Sequence, residues 1–396
     1  MTTNIFAFII VLGVLIFFHE LGHFLVARLF GVGVEKFSLG FGPRLFGKKI
    51  GKTDYFLSAI PLGGYVKMVG EEPDAEIDPA DIPFSFTHKH VLKRILIVAA
   101  GPFFNLLLAA IIFFGVFNAY GIFILKPTIG EVQEGGPAHK SGLKKGDLIV
   151  AIDGVRLEKW EDMSQIISES KGKKMVASVR RGESTLVLNI VPELRTDKNL
   201  FGEEIERYMI GVTASGDMLP KDLNLIQAFS MSITQTYKIS KLTVLSIVKL
   251  IQGTLSTKTL GGPIMIAQMA GAQAKAGVAN LLYFIALISV NLGILNFLPI
   301  PVLDGGHLFF FGIEAVTGRP VSTRVREIAQ QAGIFLLLFL MVFVFYNDIV
   351  RIFPDFFLMP RARAFSKKPK TISGLNFLKF ASSTSLPLMR NSPLIS

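Results

Sequence analysis

The sequence predicts an α-helical polytopic membrane protein with about four transmembrane helices, a membrane-associated β-hairpin region and an inserted soluble domain. Three observations predict this class. Of the 396 residues, 51% are hydrophobic and only 18% are charged, whereas about 25% are charged in typical soluble proteins. Four segments have the roughly 20 mostly apolar residues that cross a bilayer. Long polar stretches separate the first of these segments from the second, and the second from the third.

The four predicted spans are placed by their apolar runs. A fifth apolar stretch, 242–251, is too short to cross a bilayer, and its apolar residues recur at helical spacing. It therefore predicts an amphipathic helix lying on the membrane. The predicted spans cover residues 4–27, 95–125, 281–298 and 332–346.

The connections between the spans carry the remaining predicted structure. Residues 35–68 form short alternating runs broken by Gly and Pro, a pattern that predicts β-hairpins, and the acidic stretch 71–83 predicts a mobile loop. The basic, Ser-rich tail predicts weak order. The predicted domains are the N-terminal half of the membrane core (1–126), an inserted domain (127–193), a connecting segment (194–280), the C-terminal half of the core (281–353) and the tail (354–396).

The charge distribution predicts the orientation and the partners. No Lys or Arg precedes the first span, while the loops before the second and fourth spans are basic, which places those loops in the cytoplasm and residues 127–280 outside. Four spans place the C-terminus outside and the tail arginines favour the inside, so its side stays open. The net charge of +11 favours anionic lipid headgroups. No basic-aromatic platform for nucleic acid is present.

The first predicted span contains His19, Glu20 and His23 in the pattern H-E-x-x-H. Histidines four residues apart lie on one helix face and can bind one Zn²⁺, and the Glu between them can take a proton from metal-bound water. Three ionisable groups inside a span cost several kcal/mol unless they are compensated, and a metal in a water-filled cavity would compensate them. A His–Glu pair that packs helices or relays protons is the alternative.

A catalytic zinc site needs a third protein ligand. The best candidate is Asp304, in the stretch "NFLPIPVLDGGH" (296–307), because a carboxylate at membrane depth needs a partner. The alternative is that Asp304 caps the following helix. His307 is a rival ligand, and Glu35 is a weaker one. No Cys occurs, so a thiolate ligand is excluded.

Two asparagines sit in or near the ends of predicted spans. Asn296 lies in the last turn of the third span, where its amide could donate a hydrogen bond to a developing oxyanion. An interhelical hydrogen bond, which is common for Asn in membranes, is the equal alternative. The same two interpretations apply to Asn105 in the second span.

Taken in order, several stretches resemble the site-2 protease family of intramembrane zinc metalloproteases, and most closely its bacterial regulator-of-sigma-E protease branch. H-E-x-x-H alone is moderately specific, but its pairing with N-x-x-P-x-P-x-L-D-G in a later span is highly specific. The matching stretches are "FFHELGHFLVAR" (17–28), "FSLGFGPRLF" (37–46), "PLGGYVKM" (61–68), "AGPFFN" (100–105), "LGGPIMIA" (260–267) and "NFLPIPVLDGGH" (296–307).

The resemblance implies a function and a role for each site residue. His19, His23 and Asp304 would be the zinc ligands, Glu20 the general base that activates zinc-bound water, and Asn296 an active-site polar residue. The protein would cleave peptide bonds within or near transmembrane helices of single-pass proteins, such as an anti-sigma factor or a remnant signal peptide, in the bacterial inner membrane. The "GGYVKM" stretch would form a β-hairpin that enters the membrane near the site.

The inserted domain resembles an α+β PDZ domain through "GPAHKSGLKKGDLIVAIDGVRLEKWEDM" (136–163). Such a domain on the periplasmic side could bind a peptide or a substrate ectodomain along a strand edge, or could only restrict access to the site. The stretch "RYMIGVTASGD" (207–217) is strand-like but too short to begin a second PDZ domain.

Two other classes of protein fit parts of the sequence. A membrane scaffold could bind protein tails with its PDZ domain and keep a vestigial metal site. A transporter could use the His and Glu residues as a relay, although the inverted repeats typical of transporters are not recognisable here.

Overall fold

The computed structural model describes residues 2–71 and 77–353, apart from the side chains of residues 61 and 62. The predicted tail 354–396 and part of the predicted acidic loop lie outside the described residues. The chain divides into two compact units. We call residues 2–116, 229–248 and 256–353 the membrane core, and residues 117–228 and 249–255 the insertion.

Four helices of the described chain are long and apolar enough to cross a membrane. Their number confirms the predicted four spans, and the protein is a multi-pass membrane protein. The α-helices are α1 (Thr2–Leu29), α2 (Val91–Tyr120), α3 (Pro137–Lys140), α4 (Trp160–Glu169), α5 (Leu225–Ile251), α6 (Pro263–Ala276), α7 (Val278–Asn296), α8 (Asp304–Thr317) and α9 (Thr323–Ile352), with α1, α2, α7 and α9 as the candidate spans.

The second span ends earlier than its apolar run predicts. Helix α2 stops at Tyr120, because Gly121 has a φ of +65° and turns the chain out of the helix. Residues 122–125, predicted as the end of the span, instead form a strand. Apolar composition alone could not separate the two, since a short apolar run suits a buried strand as well as a helix.

Helix α5 is longer than the amphipathic helix predicted at 242–251. The helix has 27 residues, and those of its residues that lie in the membrane core pack along α7. Gln235 Nε2 donates to Tyr283 Oη at 2.8 Å, and Thr243 Oγ1 donates to Asn291 Oδ1 at 2.6 Å. Because both pairs advance by eight residues, the two helices run in the same direction along this contact.

The start of α6 is held by a carboxylate from α9. Asp348, 1% exposed, accepts hydrogen bonds from the N–H groups of Gly262, Ile264 and Met265 at 2.9–3.1 Å. These N–H groups belong to the first turn of the helix, where no carbonyl within the helix can accept from them. A Cβ at Gly262 would lie 2.7 Å from Asp348 Oδ2, so this contact needs glycine.

Two long strands, β1 (Val34–Ile50) and β2 (Thr53–Met68), confirm the predicted β region. They bend so that residues 36–39 pair with 64–67 on one side and with 54–57 on the other. The sheet packs on α1, α2 and α8 through an apolar cluster. This cluster includes Ala27, Val34, Phe37, Val66, Met68, Ile97 and Phe311.

The insertion contains a four-stranded antiparallel sheet, covered by α4 around an apolar cluster. The strand order is β6 (Val155–Arg156), β5 (Leu148–Ile152), β7 (Met175–Arg181) and β8 (Ser184–Ile190). The last strands of the insertion then pair with its first ones, since β11 (Val212–Ala214) pairs with β4 (Ile129–Val132) and β12 (Met218–Lys221) with β3 (Ile122–Leu125). The strands of this unit therefore continue to residue 221, beyond residue 193, where the predicted inserted domain ends. Its strands are β3 (Ile122–Leu125), β4 (Ile129–Val132), β5 (Leu148–Ile152), β6 (Val155–Arg156), β7 (Met175–Arg181), β8 (Ser184–Ile190), β9 (Glu193–Lys198), β10 (Glu204–Met209), β11 (Val212–Ala214) and β12 (Met218–Lys221).

Candidate metal centre

Three side chains predicted as ligands meet in the membrane core. His19 Nε2 lies 3.1 Å from Asp304 Oδ2, and His23 Nε2 lies 3.5 Å from Asp304 Oδ1. The two Nε2 atoms are 3.3 Å apart. Helix α1 presents both imidazoles on one face, as the four-residue spacing predicts, and the first residue of α8 brings the carboxylate from 281 positions further along the chain.

The distances among these atoms fit one tetrahedral zinc ion. Zinc bonds of about 2.0–2.1 Å to N and O ligands give a tetrahedron whose ligand atoms are about 3.3–3.4 Å apart. The three measured separations, 3.1, 3.3 and 3.5 Å, fall around that value. Two imidazoles and one carboxylate leave the fourth position of such an ion open, which is the composition of a catalytic rather than a structural site.

Small residues let α2 approach the candidate ligands. A Cβ at Gly101 would lie 2.2 Å from His23 Nε2, and a Cβ at Gly22 would lie 2.4 Å from the carbonyl oxygen of Ala100. The two helices therefore touch backbone to backbone at the metal centre. His23 Nδ1 donates to the carbonyl of Ile97 at 3.0 Å, which fixes the ring with Nε2 towards the other ligands.

Asn105, also on α2, contacts the other histidine. Its side chain is fully buried, and its Nδ2 lies 3.2 Å from His19 Nδ1. Of the two interpretations that the sequence left open for Asn105, the structure therefore shows a contact between helices. The partner is a residue 86 positions away, which no local pattern indicates.

The turn that carries Asp304 depends on the two glycines after it. A Cβ at Gly305 would lie 2.1 Å from the carbonyl oxygen of Leu298, and a Cβ at Gly306 would lie 2.5 Å from that of Ile300. The first turn of α8 thus packs directly on the loop that leaves α7. This contact positions the carboxylate at the start of the helix.

The same loop holds one strained residue. Val302 has a φ of +104°, a region that a β-branched residue rarely adopts. Such a backbone conformation costs about 1–3 kcal/mol and persists only where the surroundings enforce it. Gly333 of α9 packs directly against this loop, since a Cβ there would lie 1.9 Å from the carbonyl oxygen of Pro301.

Glu20 lies between α1 and the sheet. Its side chain is 9% exposed. The backbone of β2 passes directly over it, because a Cβ at Gly64 would lie 3.1 Å from Glu20 Cγ and 2.8 Å from Ile16 Cγ2. A glycine at this position therefore lets the strand reach the turn of α1 that holds the ligands.

The remaining candidate residues, Asn296, Glu35 and His307, lie in different surroundings. Asn296 is the last residue of α7 and is partly exposed, and among the described residues its amide has no hydrogen-bond partner. Glu35, a rival ligand, pairs instead with Lys67 at 3.7 Å on the exposed side of the sheet. His307 is not part of the ligand cluster either.

One pair near the site had no signal in the sequence. Arg94 of α2 and Glu314 of α8 form a buried ion pair, although 220 positions separate them. The guanidinium also stacks over the Phe311 ring at 4.9 Å and donates to the carbonyl of Lys89 at 3.1 Å. This pair ties the helix that begins with Asp304 to the helix that supports both histidines.

Comparisons with known proteins agree with this geometry. The profile of peptidase family M50 matches residues 7–340. A Campylobacter jejuni protein is 39% identical over 87% of this chain and 93% of its own length, and one from Mesorhizobium japonicum is 37% identical over 86% and 97%. Their names describe them, provisionally, as zinc metalloproteases. The Bacillus subtilis protein named regulator of sigma-W protease is 31% identical over 88% and 99%. The chain therefore belongs to peptidase family M50, the site-2 protease family of zinc metalloproteases.

Proposed function

We propose that this metalloprotease cleaves transmembrane segments of single-pass membrane proteins, with His19, His23 and Asp304 as the zinc ligands. The observation that carries the proposal is the set of three ligand separations of 3.1, 3.3 and 3.5 Å, formed between α1, which is long and apolar enough to cross a membrane, and the first residue of α8. Ionisable groups at that depth need compensation, and a shared metal ion provides it.

Each polar group of the site has a proposed role. Zinc, when bound, supplies Lewis-acid polarisation of the scissile carbonyl and acidifies a water molecule. Glu20 accepts the proton of that attacking water and returns it to the leaving amine. Asn296, whose amide is not used within the described chain, donates a hydrogen bond to the oxyanion.

Substrate would reach the site beside the sheet. A transmembrane helix hides its carbonyl groups in internal hydrogen bonds, so it must unwind before hydrolysis. The residues of β2 that approach Glu20 could pair with the unwound segment as an added strand. Gly64 supports this role, because it lets backbone rather than side chain line that approach.

The substrate class and the location follow from the family and the charges. One relative is named a regulator of sigma-W protease, which supports an anti-sigma factor as the type of substrate, with a remnant signal peptide as the second type. The basic loops support an orientation with the insertion on the periplasmic face of a bacterial inner membrane. Anionic lipids would contact the basic loops.

We also propose that the insertion is a single PDZ domain that binds an extended peptide. A groove of about 270 Å³ lies between α4 and residues 207–214, lined by Trp160, Met163 and Ile167 on the helix. In the described chain, β11 pairs with β4 on one side only, which leaves an edge for an added strand. The segment 207–217 thus supports the binding interpretation over simple restriction of access.

The catalytic proposal is tested with Glu20→Gln in purified full-length protein. We expect the variant to retain zinc and to lose cleavage of a model single-pass helix by about 10³-fold or more, because proton transfer is lost. Glu327→Gln, an exposed glutamate in α9, is the matched control and should cleave normally. Full cleavage by Glu20→Gln, or cleavage by wild type stripped of zinc with a chelator, would contradict the proposal.

The peptide proposal is tested by fluorescence. Trp160 is the only tryptophan of the chain and lines the groove. Titration of the full-length protein with extended peptides should change its emission in a saturable way. A library of peptides that leaves the emission unchanged would favour restriction of access instead.

A further inference from the structure

Helix α2 contacts the second ring nitrogen of both ligand histidines. The Nε2 atoms of His19 and His23 face Asp304, so Nδ1 is the nitrogen left over on each ring. For His23 the neighbour of Nδ1 is the carbonyl oxygen of Ile97, at 3.0 Å. For His19 it is the amide of Asn105, at 3.2 Å.

The chemistry of a bound imidazole decides what Nδ1 requires. A neutral imidazole that binds a metal through Nε2 carries its proton on Nδ1 and donates it to an acceptor. The carbonyl of Ile97 meets this need for His23. For His19 the contacting atom is the amide nitrogen of Asn105, which is a donor and cannot accept. The side chain meets the need only through its oxygen.

The oxygen of that amide is available. Asn105 Oδ1 is buried and has no hydrogen-bond partner among the described residues. The NH₂ group and the oxygen of an amide have almost the same size, so a half-turn of the amide exchanges them without new space. The half-turn moves the NH₂ group to the position where the oxygen has no partner. Neither group is bonded at that position, so the contact with His19 decides the orientation of the amide.

We propose that Asn105 is a positioning residue for the metal site, accepting the Nδ1–H of His19 through Oδ1 when His19 binds zinc. The inference rests on His19 being a ligand, as proposed above. The backbone of Asn105 is itself held in place, because Ser289 Oγ donates to its carbonyl at 2.7 Å. A Cβ at Gly293 would lie 2.9 Å from the carbonyl oxygen of Pro102, so α7 packs closely against this turn.

The residue type matters because Asn combines a donor and an acceptor on one flat group. It can donate to an unprotonated Nδ1 and accept from a protonated one. Leu has a similar shape and offers neither contact. Asp offers only the acceptor, as in the carboxylate–histidine–zinc arrangement that raises ligand basicity.

The test measures the zinc dissociation constant of full-length protein in detergent, by competition with a chromogenic chelator. We expect Asn105→Leu to weaken zinc binding by about 10–100-fold, the usual loss when a partner of a ligand histidine is removed. Asn105→Asp should bind zinc at least as tightly as wild type. The matched control is Asn280→Leu, since Asn280 is 4% exposed in α7 and also has an unpartnered Oδ1.

The outcomes separate a polar role from packing. If Asn105 only filled space, Asn105→Leu would bind zinc like Asn280→Leu, and this result would overturn the inference. Should Asn105→Leu fail to fold, ¹⁵N NMR of wild type labelled at its six histidines decides. Two ligand rings protonated at Nδ1 are expected, and binding of His19 through Nδ1 would overturn the inference. If His19→Ala binds zinc as wild type does, the ligand assignment itself fails, and this inference fails with it.

Discussion

The membrane core and the insertion each bury one aspartate almost completely, and they use it differently. Asp348 and Asp147 are both 1% exposed. In the insertion, Asp147 binds the Arg181 guanidinium through two bonds of 2.7 Å and accepts the N–H of Lys144 within its own turn. In the core, Asp348 accepts three N–H groups at the start of another helix, more than 80 positions away.

The difference shows what holds each region together. The insertion is built around an apolar cluster, formed by burial from water, and its buried carboxylate joins its own turn to one strand of the sheet. Helices among lipids gain little from apolar burial, so close contacts of small residues and polar bonds hold them. Gly22 against Ala100, Gly333 against Pro301, and Asp348 against α6 are such contacts. In the core, close contacts of small residues and polar bonds therefore determine the geometry.

The largest effect is expected where a small residue contacts a proposed zinc ligand. Gly101→Ala places a methyl group 2.2 Å from His23 Nε2, so the ring or the helix must move. Zinc affinity should fall by about 100-fold or more, beyond the loss of a supporting contact, and cleavage with it. Zinc content after gel filtration measures this.

The same helix supplies the control for that substitution. Gly115 has nothing within 4 Å of a Cβ position, so Gly115→Ala should keep both zinc and activity. Normal zinc content in Gly101→Ala would show that small-residue contacts do not determine the geometry of the core, and the comparison of the two regions would fail.

The next effect concerns the carboxylate of α9. Asp348→Leu leaves three N–H groups at the start of α6 without an acceptor, and we expect a loss of about 3–5 kcal/mol in stability. Thermal unfolding in detergent measures it. Arg351→Gln should cost less, because Arg351 is 39% exposed and its distance to Asp348 Oδ1 is 3.2 Å. Equal losses would assign the role to the ion pair rather than to the helix start.

A smaller effect is expected in the insertion, where pH reports on Asp147. Burial alone would raise the pKa of the Asp147 carboxyl, but the hydrogen bonds from Arg181 and from the Lys144 N–H hold this pKa below its ordinary value. The resulting stability is present above the unfolded-state pKa of about 3.9. It is lost as the pH falls from there through the lower folded-state pKa.

Arg181→Gln should destabilise the insertion at neutral pH, because the buried Asp147 carboxylate loses the two hydrogen bonds from the guanidinium. It should also flatten the loss of stability in acid. Emission of Trp160, the only tryptophan of the chain, follows unfolding of the insertion alone in full-length protein. An unchanged acid profile in Arg181→Gln would contradict the assignment.

The sequence predicted the parts of this structure that depend on local pattern. Four spans, the β region and the residues H-E-x-x-H follow from composition and spacing, and Asp304 follows from the cost of a carboxylate at membrane depth. The contacts of Asn105, Asp348 and Arg94 join residues 80 or more positions apart. A single sequence does not indicate which distant residue each of them contacts, because no local pattern or spacing links the two partners.

The smallest effect is expected for the exposed ion pair of Lys221 and Glu158 in the insertion. Its atoms are 2.6 Å apart, closer than the 2.7 Å of Arg181 and Asp147. Both side chains are largely in water, 42% and 64% exposed, so the charges were never removed from solvent and little is lost when one disappears. Lys221→Gln should leave the Trp160 unfolding transition where it is, although Arg181→Gln moves it. Comparable shifts of the unfolding transition in the two variants would mean that contact distance, and not burial, sets the strength of these ion pairs. The contrast between a buried and an exposed carboxylate would then explain nothing about either region.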